Sequence, residues 1–184
     1  MLNQLLRPAF IIFCFTIPAW LLLRFIIWND KKKRHVPFSL QRELLLFITY
    51  LYITCTLIIT IVPVPMTRSE NGKHDRINLI PVVNTIKDFI ELSPQRRSMS
   101  GHILENTFGN ILLFIPLGIL LPLLSKRMSL RRLLITAFLF SLMIETTQFI
   151  SSYFGVYRYA DIDDIILNTS GACIGFVMIR KVKK

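Results

Sequence analysis

The stretch SLMIETTQFISSYFGVYRYADIDDIILNTSGACIG, Ser141 to Gly175, decides how the chain is read. It sets a carboxylate and an amide, Glu145 and Gln148, inside a strongly apolar segment. It then crowds Arg158, Asp161, Asp163 and Asp164 into one short connection and resumes an apolar run with Asn168 near its start. In hydrocarbon a carboxylate costs on the order of 2.5–3.5 kcal/mol unless it is paired or neutralised. What holds Glu145 there is therefore the first question the sequence poses.

Working outward, the apolar character continues in blocks. The 184 residues are 53% hydrophobic, with a mean hydropathy of +0.53, above the roughly 45–50% apolar content of soluble domains. Five blocks approach the ~20 residues needed to cross a hydrocarbon core. They are Pro8 to Trp28, Leu44 to Val64, Asn106 to Leu124, Leu133 to Ser152 and Ile165 to Ile179. The fifth is short, which puts the start of its helix at or before Asp163. The fold class is all-α: a polytopic integral membrane protein of about five transmembrane helices. Two N-terminal helices occupy residues 1–65, and a region of three further crossings occupies 66–184.

The first block is not a secretory leader, because its apolar run is too long and ends in WNDKKKRH without a small-residue cleavage pattern. The third contains Pro116, Gly118 and Pro122, which predicts a kinked helix. Between the second and third blocks lies a polar segment of nearly balanced charge. Within it RINLIPVVNTIKDFIEL, starting at Arg76, has the apolar spacing of a short amphipathic or re-entrant helix, interrupted by Pro81. Cys14, Cys55 and Cys173 all fall in apolar blocks without metal-ligand or redox spacing, and read as small apolar core residues.

The net charge of +11 would suggest nucleic acid in a soluble protein, but here the basic residues flank apolar blocks. Lys31, Lys32, Lys33, Arg34 and Arg42 form one basic loop, Lys126, Arg127, Arg131 and Arg132 a second, and Arg180, Lys181, Lys183 and Lys184 the tail. An N-out, C-in orientation gathers all of these on the cytoplasmic side, as the positive-inside bias requires. The acidic connection then lies outside, and no nucleic-acid partner is expected.

On that topology Ser141, Glu145, Gln148 and Ser152 share one helix face, and Asp161, Asp164, Asn168, Gly171 and Gly175 share another, with Asp163 pointing elsewhere. Packed together through a GxxxG step at Gly171 and Gly175, the two faces make an outward-facing polar pocket. Plainer readings compete: the aspartates cap a helix N-terminus, Glu145 pairs with Arg158 or is simply protonated, Gln148 and Asn168 are interhelical hydrogen-bonding groups, and Asn106 and Asn110 cap the third helix.

Four pieces in order, RINLIP (Arg76 to Pro81), NILLFIPLGILLP (Asn110 to Pro122), ETTQF (Glu145 to Phe149) and the run from Arg158 to Gly175, resemble the VanZ-like family. That family is named after an accessory protein of glycopeptide-resistance clusters that lowers susceptibility to teicoplanin. The resemblance covers Arg76 to Gly175 and implies a multi-pass protein of a Gram-positive cell membrane. The positions it carries over are Arg76, Asn78, Pro81, Asn110, Pro116, Gly118, Glu145, Gln148, Arg158, Asp161, Asp164, Asn168 and Gly171.

The ligand-binding candidates are thus Arg76, Asn78, Asn110, Glu145, Gln148, Arg158, Asp161, Asp164 and Asn168. The partner expected is a lipid-linked cell-wall precursor or a lipoglycopeptide. An intramembrane enzyme on a lipid phosphate or sugar headgroup is the alternative. There Glu145 and Asp164 act as acid and base, or the carboxylates hold Mg²⁺ or Ca²⁺. A proton-coupled transporter is a third reading, weakened by the lack of an inverted repeat.

Overall fold

The computed structural model describes residues 2–61, 77–78, 97–153 and 160–182. Its elements are α1 (Leu2–Lys33), α2 (Leu40–Ile61), β1 (Ile77–Asn78), α3 (Arg97–Leu124), α4 (Leu130–Tyr153), β2 (Ala160–Asp161) and α5 (Ile162–Val182). All five helices are long and apolar enough to cross a membrane, and the only extended backbone among the described residues is the two-residue pair β1 and β2. The fold is therefore all-α and polytopic. The third crossing is one helix with Pro116 and Pro122 inside it. The amphipathic helix expected from Arg76 onward lies outside the described residues, except that Ile77 and Asn78 are extended instead of helical.

The chain divides into two compact units, Met1–Val64 and Pro65–Lys184. In the first, α1 and α2 form a hairpin. Its helices are joined by Tyr50, whose hydroxyl donates to Thr16 Oγ1 at 2.7 Å, and by Trp20, which packs on Phe47 and Tyr50 with centroids 5.1 and 5.4 Å away. Near the basic loop the Arg24 guanidinium donates to both oxygens of Glu43, and Lys31 Nζ stands 3.5 Å from Glu43 Oε1. This pairing permits a carboxylate at the start of a membrane helix. The α1 terminus closes through His35, held at φ 54°, with Val36 N–H donating to Lys31 O at 3.0 Å and His35 N–H to Lys32 O at 3.2 Å. It is the left-handed cap that glycine usually supplies.

In the second unit α5 is the central helix, with α3 on one side and α4 on the other. A Cβ on Gly171 would overlap the Ile111 carbonyl, and one on Gly175 would overlap the Ile115 carbonyl. The paired positions rise together, so α3 and α5 run parallel. Gly118 answers from α3, lying directly against the Ala172 carbonyl and Phe176 N. The small-residue step thus packs α5 on α3, not on α4 as the sequence suggests. The reason is geometric: Asn168 and Gly171, read as one face, lie about 60° apart around a 3.6-residue helix, enough to meet different neighbours. Phe114, Leu133, Ala137, Ile144 and Ala172 fill the centre, and Phe114 packs on Phe140 of α4 with centroids 5.6 Å apart.

Hydroxyls on the outer surface of this unit are satisfied within their own helices. Thr136, Thr146, Thr147, Ser151, Thr169 and Ser170 each donate to the carbonyl four residues earlier, at 2.7 to 2.9 Å. In lipid, where water is missing, this is the cheapest way to carry a hydroxyl. The cysteines are not core residues: Cys14 and Cys55 are exposed and Cys173 half-buried, so they belong to the surface that faces lipid.

Two outcomes follow from this packing. Gly171→Val or Gly118→Val forces the parallel backbones apart and lowers stability by about 1–3 kcal/mol, read as a fall in thermal midpoint in detergent, whereas Gly109→Ala, whose added Cβ meets nothing within 4 Å, causes no such fall and gains up to about 1 kcal/mol of helix propensity. In the hairpin, Arg24→Met and Glu43→Met each destabilise more than the double variant does, because a lone charge is worse than none.

Candidate functional site

Along α4, Ser141, Glu145 and Gln148 recur at helical spacing and are all buried, Glu145 to 5% exposure. Asn168, in the second turn of α5, is 2% exposed. Its Nδ2 donates to Ser141 Oγ at 2.8 Å, one helix answering the other across the seam. A turn further along, Glu145 Oε2 accepts the backbone N–H of Asp161 at 3.0 Å. The carboxylate is thus held by a backbone donor presented just before α5 begins. Such donors are free at a helix start because no preceding turn accepts from them.

Asp161 has a second task. Its Oδ1 accepts the N–H of Asp163 at 2.9 Å, the geometry of a residue capping the helix that begins at Ile162. Capping therefore accounts for Asp161, as the plainer reading of the sequence has it. The same residue pairs with Asn78, since β1 and β2 are parallel with Ile77 opposite Ala160 and Asn78 opposite Asp161. Ile77 and Asn78 are in this way brought to the start of α5, a contact that no local pattern signals.

Among the nine ligand-binding candidates, Glu145, Gln148, Asp161 and Asn168 come together along the α4–α5 contact. Asn78 joins them by its backbone. Asp164 is half-buried in the first turn of α5, and Asn110 is half-buried on α3. Arg76 and Arg158 lie outside the described residues. Asp163, which periodicity turns away from the site, is 7% exposed. A single-stripe count assumes one neighbour, but α5 lies between two helices and its buried arc is wider than a stripe. Sequence reasoning also passed over Ser141 as a partner of Asn168, although its position one turn before Glu145 was the available signal.

Two polar atoms in this region are buried without a hydrogen-bond partner: Nδ2 of Asn110 and Oδ1 of Asn168. Among the described residues no three His, Cys, Asp or Glu side chains converge as metal ligands. Alongside the polar seam, α4 and α5 leave an open groove of ≈ 370 Å³ lined by Leu134, Phe138, Ile165, Ile166, Thr169 and Cys173. A polar seam and a neighbouring apolar groove on the same two helices suit a molecule with a polar head and a hydrocarbon tail.

Neither the curated proteins nor the solved structures contain a match to the chain. The VanZ/LLP1 family model matches residues 47–183. The match therefore begins ahead of the Arg76–Gly175 motifs, within α2. With three quarters of its length covered by that match, the chain belongs to the VanZ/LLP1 family.

Proposed function

We propose that the chain binds a lipid-linked or amphiphilic molecule of the cell envelope and thereby reduces susceptibility to teicoplanin-type lipoglycopeptides. The observation that carries this reading is Glu145, a buried membrane carboxylate that accepts the Asp161 N–H at 3.0 Å. A group so costly to place in lipid sits beside Gln148 and Asn168, where a headgroup could be received. The α4–α5 groove supplies a course for its chain. In this reading the N-terminus and the acidic connection are outside and the basic loops inside, so the headgroup is taken from the outer leaflet of a Gram-positive cell membrane.

Binding and exclusion of water would need no covalent step. The polar side chains orient the headgroup, and the surrounding low dielectric strengthens each hydrogen bond they make. Family membership adds the setting, but function has to be argued from the site.

A teicoplanin-sensitive host expressing the wild-type chain gains tolerance, and Glu145→Gln loses most of that gain. Full retention by Glu145→Gln would sink the reading. The same substitution keeps an acceptor for Asp161 and stays close to wild-type stability, whereas Glu145→Ala strands the buried N–H and costs about 1–3 kcal/mol, visible in a melting curve. Orientation is tested in a variant without native cysteines: Lys33→Cys and Lys126→Cys react with a membrane-impermeant maleimide only after the cells are permeabilised.

A further inference from the structure

We infer that Asn110 and Asn168 form a subsite for one hydroxyl or amide group of a sugar-like headgroup; the inference rests on the amphiphile-binding reading above. Asn110 lies one turn before Phe114 on α3, and Phe114 is wholly buried against Phe140 of α4. Asn168 bonds Ser141, the residue that follows Phe140. The parallel register of Gly171 with Ile111 brings the two asparagines to the same level of the α3–α5 contact.

At that level the amides present complementary needs. Asn110 Nδ2 is a donor without an acceptor, and Asn168 Oδ1 is an acceptor without a donor, both closed off from solvent. Asn168 has already committed its Nδ2 to Ser141, so its amide cannot rotate without breaking that bond. Buried polar groups in native proteins are nearly always paired, and here one group that both accepts and donates would satisfy the two at once. A hydroxyl or an amide does so. A phosphate oxygen could accept from Asn110 but would face the lone pairs of Asn168. A quaternary ammonium carries neither function.

The test is a titration in phosphatidylcholine nanodiscs, followed by native mass spectrometry, with three lipids of identical chains: monoglucosyl-diacylglycerol, phosphatidic acid and a dialkyl trimethylammonium lipid. Wild type should prefer the glucosyl lipid. Asn110→Leu and Asn168→Leu should each weaken it about tenfold while leaving the other two unchanged. Asn110→Leu breaks no hydrogen bond of its own side chain, so it remains informative if Asn168→Leu fails to fold.

Unaltered glucosyl-lipid affinity in a folded Asn110→Leu overturns the subsite and leaves the asparagines with a water only. Preference for phosphatidic acid overturns the headgroup class, yet keeps the amphiphile reading. Retention of none of the three lipids overturns the inference, and the reading beneath it falls as well only if the Glu145-dependent teicoplanin shift is also missing.

Discussion

A bilayer offers no water to a buried polar group, and that one constraint organises the second unit of this protein. Glu145, within a membrane helix, receives a backbone N–H that Asp161 turns toward it at 3.0 Å. That donor is available because α5 starts there and its first amides have no preceding turn to serve. The outer hydroxyls meet the same demand differently, each bonding a carbonyl of its own helix. Polar groups facing lipid are thus closed locally, whereas those facing the neighbouring helix are closed by tertiary contact. Only the second kind can be rearranged by a ligand.

The helix that makes this possible is α5. Gly171 and Gly175 let it approach α3 until backbones touch, and Gly118 returns the favour from the other side. Van der Waals contact between closely approaching backbones is the main source of cohesion where the hydrophobic effect is weak. With that face committed to α3, the adjoining face is free to carry Asn168 toward Ser141 on α4. The polar seam and the glycine contact are therefore neighbouring faces of one rod. Loosening the glycine contact would be expected to disturb the seam as well.

The first unit solves a related problem by another route. Glu43 stands where α2 enters the apolar region, and two cations from α1 meet it there. Close to a basic loop such a pair is anchored by long side chains that reach toward water. At the acidic end of the second unit Glu145 instead accepts a backbone N–H, that of Asp161.

The sequence alone determined the five crossings, the all-helical class and the segments that carry Glu145, Gln148 and Asn168. Apolar run length and charge spacing are local properties, legible without knowing any neighbour. The motifs from Arg76 to Gly175 likewise pointed to the family that the 47–183 match shows. The tertiary structure decided which face of α5 meets which helix, why Asp163 is buried and Gly171 turned to α3, and how Asn78 reaches Asp161. Those outcomes depend on contacts between segments far apart in the chain. A periodicity of 3.6 residues says which side chains share a face, but the number and direction of neighbouring helices say what that face touches.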